Sequence, residues 1–567
     1  MPRRSKTAQS QPQSESPRGG VDQGGAVLVT VDFVLSRRAA LVERLPRLVG
    51  ILGFVTVTLV ALAVFNDVMR RFYWDAGSWK IFVPFLAAAA VSLAFVRTRY
   101  IDFQPLLKAS LRASAVGLLV FLVFDAPDFT LADPQAALGL SYVNGFYFPA
   151  LTFAAAAVFR PAFIVPTAVY IMSTRNLVMA ISGLEMSKLD IQYMIDMALY
   201  LSMVSLLVGK VGPRIHPWLA SPDRQSEVVG VAIGLHLANY FWSGVAKMMI
   251  GATPWYWVFE NKTFNRMPFM LEAGTLPYGH LPWATEFAWE LMQHIATPMN
   301  AAILIAQCCA IICIFRMSWL KISVVLYDML HIGIYVFGGT FFWPWIWNNA
   351  TIWWAARTTK TPFSIHTTLA CTLTILLGAP ALNLNKAAWL GWFDIADSRQ
   401  IHVKALTRDG REVEVPNAFF LAHSYSVGHG FMGRYPMAGQ YEWGMIGNSW
   451  SVKRNEVSGT CPDPSTLIPP QSETPEQTKA RRAELQRFFS AHHAKMLARE
   501  EAFGKGTYYL RLHHFPSNPF QYREFNALGL KDVVGYRSIV KSSCLDIKDG
   551  RSVTRKLWAT NAEDYGV

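Results

Sequence analysis

The stretch VVGVAIGLHLANYFWSGVAKMMIGA, Val228 to Ala252, is nearly all apolar, yet it carries His236 in its middle and Lys247 near its end. About 20 such residues suffice to cross the hydrocarbon of a bilayer as a helix. His236, Tyr240, Ser243 and Lys247 follow one another at steps of four, three and four, so they stack on one helical face. Asn239 lies beside them and Gly244 leaves room for a neighbouring helix. A single polar stripe on a membrane helix predicts a face turned into a bundle.

Insertion of a lysine at the centre of such a helix costs about 2.5–3.5 kcal/mol, so its presence needs a reason. Two readings are open. Lys247 stands four residues before Gly251, close enough to the end to reach the interface by snorkelling. Alternatively it lines a dry cavity, where desolvation favours the neutral amine and makes it a proton acceptor.

The rest of the chain has the composition of a membrane protein. Of 567 residues, 52% are hydrophobic and only 16% charged, and the mean hydropathy is +0.23, which excludes an ordinary soluble enzyme. The formal net charge of +13 is dispersed among apolar spans and tails, so a nucleic-acid partner is not expected; membrane lipid is. Apolar runs predict about nine or ten crossings, near 48–66, 81–97, 111–125, 144–159, 162–184, 191–212, 228–251, 298–316, 319–343 and 364–382. The expected organisation is therefore a disordered basic tail over 1–30, a transmembrane bundle over 45–382 and a soluble domain over 394–567. Arg3, Arg4, Lys6 and Arg18, with Arg37, Arg38, Arg44 and Arg47, argue for a cytoplasmic N terminus.

A second polar stripe strengthens the cavity reading. In SVVLYDMLHIGIYVFGGTFFW, Ser323 to Trp343, the residues Asp328, His331 and Tyr335 fall on one helical face. Asp328 and His331 are spaced for a carboxylate–imidazole pair, which would fix the ring tautomer. Hydrogen-bonding glue between helices is the alternative. The following FFWPWIWNNATIWWAA, Phe341 to Ala356, reads as an interfacial or re-entrant piece because it is rich in Trp and contains Pro344.

After Asp394 the pattern changes. DSRQIHVKALTRDGREVEVP, Asp397 to Pro416, alternates around an Asp409-Gly410 turn and predicts a hairpin; a second such turn is Asp549-Gly550. Between them, Thr474-Pro475-Glu476 opens a helix that carries His492 and His493. The fold class is thus mainly α, a polytopic transmembrane helical bundle followed by a mixed, mostly β soluble domain. Cys308, Cys309, Cys313, Cys371, Cys461 and Cys544 lack metal-ligand spacing and predict neither a zinc site nor a disulfide framework. His423, His429, His513 and His514 also match no standard metal site, so no metal ligand is expected.

Tyr240, Phe241, Ser243, Gly244 and Lys247, with Trp255 further on and His331 leading into a Gly-Phe-Trp-rich segment, resemble the horizontally transferred transmembrane (HTTM) domain, the superfamily of vitamin K-dependent gamma-carboxylase. The resemblance covers about Leu45 to Leu382. It implies that Lys247 is the base that activates a reduced quinone, with oxygen and carbon dioxide as co-reactants, and that the substrate is a lipophilic small molecule. It also implies an extracytoplasmic C-terminal domain. The region corresponding to a histidine-bearing stretch of the carboxylase, Ser173 to Met194, contains no histidine, and Ala246 stands where the family has a paired lysine.

Those departures leave room for a related reaction, since some bacterial relatives of the superfamily resemble membrane-bound terpene cyclases. Aromatic faces stabilise carbocations, and Trp242, Trp255, Trp257, Tyr335, Trp343, Trp345 and Trp347 supply them. Asp328 and His331 would then bind a diphosphate through a divalent metal or move a proton. Taken together, the candidate catalytic residues are Lys247, His331 and Asp328, and the candidate substrate-binding residues are His236, Tyr240, Ser243, Asn239, Tyr335, Trp255 and Trp343. A non-enzymatic assembly protein, with an unknown protein partner, is the third possibility.

Overall fold

The computed structural model describes residues 25–73, 79–125, 128–130, 137–181, 189–211, 214, 217–359, 362–378, 391–428, 430, 446–447, 461, 474–548 and 552–567. The expected tail over 1–30 and the Asp549-Gly550 turn lie largely outside the described residues. Residues up to Gly53 form one unit, of which the beginning of helix α1 (Gly25–Phe72) is described, and Phe54–Val567 form another.

The second unit contains α2 (Val83–Ala94), α3 (Pro105–Phe124), α4 (Ala137–Ala157), α5 (Ile164–Ile181), α6 (Leu189–Leu206), α7 (Pro222–Met248), α8 (Pro282–Cys308), α9 (Met317–Gly338), α10 (Trp343–Thr358) and α11 (Ile365–Gly378). Among the described residues, six helices are long and apolar enough to cross a membrane: Pro46–Met69, Pro105–Phe124, Met194–Val211, Asp223–Met248, Pro282–Ile311 and Met317–Gly338. Shorter apolar helices occupy Trp79–Ala94 and Ile365–Gly378.

Helix α7 is central. Ser221 caps it by accepting from the Asp223 N–H, and Pro222 occupies the first turn, where a missing N–H costs nothing. Its two sides are used differently. Gly230 and Gly234 meet α11 so closely that an added Cβ would stand 2.5 Å from the Thr367 carbonyl oxygen and 2.8 Å from that of Cys371, respectively. Small residues let membrane helices approach until their backbones touch. The polar face carrying His236 and Tyr240 is thereby turned toward α9 and α10.

The aromatic segment after Gly339 is helical despite its proline. It folds as the continuous helix α10, with Pro344 in the first turn, so this proline starts the helix and does not break it. Trp347 Nε1 donates to the Ala113 carbonyl at 3.2 Å, against Gly117 on α3, where a Cβ would overlap the indole at 2.2 Å. Asn348, Asn349, Thr351 and Ile352 are buried.

The C-terminal region carries an antiparallel sheet in the order β3-β2-β5-β6, built from β2 (Asp397–Thr407), β3 (Glu412–Glu414), β5 (Val533–Lys548) and β6 (Ser552–Gly566). A two-stranded piece pairs β1 (Phe393–Asp394) with β4 (Ile446–Gly447). Gly410, at φ +82°, makes the expected β2–β3 turn. Helix α12 (Pro475–Phe503) begins with Thr474 and Gln477 capping each other and buries Leu485, Phe488, Phe489 and Met496 in the domain core with Tyr536 and Tyr565.

One cysteine expectation is corrected: Cys461 and Cys544 form a disulfide. They lie 83 residues apart, and tertiary contact, not local spacing, brings them together. His423, His492 and His513 are structural: His423 Nε2 accepts from the Thr130 N–H at 2.9 Å, His492 Nε2 donates to the Phe419 carbonyl at 3.0 Å, and His513 Nε2 donates to the Tyr508 carbonyl at 2.9 Å. Burial pushes the imidazoles of His492 and His513 down to about 3 and about 4.

Candidate functional site

The two polar stripes meet at a residue that neither contains. Asn349, on α10, has no solvent exposure. Its Oδ1 accepts from His236 Nε2 at 2.8 Å; its Nδ2 donates to the Tyr240 hydroxyl at 3.0 Å and to Asp328 Oδ1 at 2.9 Å. Tyr240 in turn lies 2.9 Å from His331 Nε2. The inventory of protons assigns the directions. An amide oxygen only accepts, so His236 carries its proton on Nε2. The Tyr240 oxygen accepts from Asn349, leaving its own proton to be donated to His331 Nε2. Asp328 and His331 are therefore linked through Asn349 and Tyr240.

Aromatic rings enclose this network. Tyr240 stacks on Tyr327 with centroids 3.9 Å apart and planes at 8°. Trp345 lies 5.4, 5.6 and 5.8 Å from the rings of His236, Tyr240 and His331. Phe342 also packs on His331, with ring centroids 5.4 Å apart. Two buried acceptors here have no hydrogen-bond partner, His236 Nδ1 and Asn239 Oδ1; the Asn239 amide nitrogen donates back to the Leu235 carbonyl.

Lys247 occupies a second cluster further along α7. Seven residues separate it from Tyr240, an axial rise of roughly 10 Å. The side chain is 3% exposed and does not extend toward the helix end: Nζ donates back to Ser243 Oγ at 2.8 Å and stands 5.1 Å from the Trp257 ring centroid. Its electrostatic neighbours are Asp394 on β1 and Cys308 on α8. Asn261 holds Asp394 from both sides, donating from Nδ2 to Oδ2 at 3.1 Å and accepting the Asp394 N–H at Oδ1 at 2.6 Å. Burial raises the Asp394 carboxyl, and Arg266 opposes that shift. Arg266 itself is buried and donates to Thr340 Oγ1 at 2.7 Å.

The expected site residues thus divide. His236, Tyr240, Asp328 and His331 come together; Ser243 and Lys247 form a contiguous second group; Asn239 borders the first. Three of the expected aromatic residues lie apart from the two polar groups. Trp255 is 48% exposed at the start of the short helix Tyr256–Glu260, and the indole beside the amine is Trp257. Trp343 stacks on Phe121, and the indole facing the network is Trp345. Tyr335 is half-buried against Phe341, outside the network. Asn349 and Asp394 were not anticipated. Two adjacent amides within an aromatic run carry no periodic signal, although an Asn pair in so apolar a stretch is itself an unusual burial cost.

Comparison with family models, with curated proteins and with solved structures finds no match.

Proposed function

We propose that this chain is a membrane-embedded enzyme that performs acid/base chemistry on a lipophilic isoprenoid or quinol-type molecule, on an HTTM-like bundle resembling that of vitamin K-dependent gamma-carboxylase. The observation that carries this reading is the Asn349-centred network, which joins two histidines, a tyrosine and a carboxylate inside an aromatic enclosure. Helix packing alone is served by one or two such bonds. A chain that orders the protons of His236, Tyr240 and His331 instead suits proton movement between defined atoms.

In this reading Lys247 is the base. Ser243 Oγ accepts from the buried amine and the Trp257 ring lies beside it, so the group is held inside the bundle at a fixed position. The donor set also fits a quinol: the lone acceptors His236 Nδ1 and Asn239 Oδ1 suit its hydroxyl protons. A reduced quinone, when bound, would supply the reducing equivalents, with oxygen and carbon dioxide as co-reactants. The protein's own residues orient the ring, exclude water and hold the proton.

A terpene cyclase is the second reading, favoured by the indole of Trp345 and the rings of Tyr327, Tyr240 and Phe342 around one polar core. Among the described residues no three His, Cys, Asp or Glu cluster as metal ligands, so this version rests on Asp328 and His331 as proton donors.

The topology we propose follows from the two ends of the bundle. On one face, the Phe124, Gly274 and Trp392 carbonyls accept from Leu512, Asn518 and Trp257, and Phe341 donates to His514. On the other, Gln104 pairs with Gln225, Lys210 with Asp102 and His366 with Glu227. Connections at the second face carry Arg97, Arg99, Arg160, Arg214 and Arg316, whereas at the first residues 249–281 carry Lys262 and Arg266 and residues 125–136 and 339–342 carry no Lys or Arg. The positive-inside bias and the Cys461–Cys544 disulfide both favour an extracytoplasmic sheet domain, with a cytoplasmic N terminus.

The test is mass spectrometry of small molecules retained by detergent-purified wild type, Lys247→Ala and Asn349→Leu. Retention of a quinone or isoprenoid by wild type and its loss from both folded variants is the expected result. Full turnover by a folded Lys247→Met variant would remove the lysine from the mechanism.

A further inference from the structure

We infer that the groove between the start of α8 and the short helix Met267–Glu272 binds a neutral, single-chain lipid that ends in a hydroxyl or carbonyl, such as an isoprenoid alcohol or quinone. Pro268 and Pro282, each in the first turn of its helix, line the groove together with Met267, Leu271 and Trp289. Its volume is about 480 Å³, in the range of ligand sites. At roughly 30 Å³ per non-hydrogen atom, the share of a water molecule in the liquid, roughly 16 such atoms fit. That is one chain, and not the two of a phospholipid. Gly279 lets Gln521 come up to the wall: a Cβ there would stand 2.8 Å from Gln521 Oε1 and 3.1 Å from Leu271 Cδ1.

The groove lies at the level where the hydrocarbon of a bilayer ends. Pro282 opens the apolar span Pro282–Ile311. Trp283 and Phe287, in its first two turns, are 69% and 61% exposed, as aromatic side chains are at a membrane interface. An apolar chain can pass from the bilayer into the groove without crossing water.

Polar atoms beside the groove favour a chain with a polar end over a plain acyl tail. Gln521 Nε2 donates to the Leu271 carbonyl at 3.2 Å, which leaves its buried Oε1, next to Gly279, without a hydrogen-bond partner. The buried Tyr278 hydroxyl also has none, and Tyr278 packs against the cluster of Met267, Ala288 and Met292. One turn beyond Trp289 on α8, the buried Nε2 of Gln293 is a third such atom. One acceptor, one donor and one hydroxyl that can serve as either form a neutral set, which costs free energy until a ligand meets it. A hydroxyl or carbonyl head fits that set. Among the described lining residues the charged one is Glu286, whose carboxylate disfavours a phosphate head. Met267 and Met292, unbranched and adaptable, suit a flexible chain. The lining selects this class independently of the chemistry proposed around Asn349.

The experiment is photolabelling of the full chain in detergent with diazirine-bearing farnesol, phosphatidylglycerol or hexadecane, the labelled peptides over 264–293 being read by mass spectrometry. The farnesol probe is expected to label them saturably and at least about tenfold more than either other probe. Thr285→Trp, which fills the groove, is expected to cut farnesol labelling about tenfold. Glu286→Lys, at an exposed position, is expected to raise phosphatidylglycerol labelling several-fold. Equal labelling by the three probes would overturn the proposal and leave the groove to bulk lipid. Farnesol labelling that does not saturate, or that persists unchanged in folded Thr285→Trp, would overturn it as well. The comparison of probes on wild type decides the matter whether or not that variant folds. Labelling over 343–358 reports separately on the Asn349 site, so failure of the proposed function and failure of the groove are told apart.

Discussion

Replacing Asn349 by leucine, which keeps the branched shape and heavy-atom count of the side chain, is the sharpest perturbation of the central network. The substitution removes three hydrogen bonds, at 2.8, 2.9 and 3.0 Å. Interhelical bonds in membranes average about 0.6 kcal/mol and reach about 1.7, so the bonds themselves account for roughly 2 kcal/mol. The larger effect is what remains. The His236 Nε2–H and the Asp328 carboxyl are stranded in an apolar surround, each at about 1–3 kcal/mol. The expected loss is therefore roughly 4–8 kcal/mol, measured by reversible unfolding in mixed micelles. A cycle with Asp328→Leu isolates the pair. The double variant should recover about 1–2 kcal/mol relative to the sum of the singles, because the stranded carboxyl is gone. A loss below about 1 kcal/mol for Asn349→Leu, with no coupling to Asp328, would mean that the amide is not the hub and would undo the argument for an ordered proton chain.

Other consequences are accessible to simpler measurements. Acidification should destabilise the sheet domain: His492 and His513, held near 3 and 4 in the fold against about 6.5 unfolded, take up protons more readily when unfolded. Their contribution is fully present above pH 6.5 and is lost as pH falls, by roughly 4 kcal/mol for the two between pH 6.5 and 5, readable as a falling urea midpoint. Replacing Cys461 and Cys544 by serine opens a loop spanning 83 residues, and chain entropy sets the loss at roughly 4–5 kcal/mol; a reductant should reproduce it in wild type but not in the variant. Gly234→Leu, whose side chain would collide with Thr374 and the Cys371 carbonyl, should part α7 from α11 and lower the melting temperature in detergent by several degrees, for about 2–3 kcal/mol. An unchanged melting point would contradict the close helix contact.

The sequence alone determined those features that depend on periodicity. An apolar run of bilayer length can satisfy its backbone only as a helix, so the long spans were legible, as was the inward stripe of His236, Tyr240, Ser243 and Lys247 on α7. The Asp409-Gly410 hairpin and the Thr474-Pro475 helix start were legible for the same reason: local backbone chemistry fixes them. Tertiary structure decided which stripes touch. Asn349 joins them because α10 packs beside both α7 and α9, and a proline at its first turn had resembled a break. Whether Lys247 snorkels or turns inward depended on Ser243 and on Trp257, which a later turn of chain folds over the amine. The disulfide and the Asp128–Arg511 ion pair likewise join residues 83 and 383 positions apart. Such pairings arise from packing of whole elements, and no local spacing encodes them.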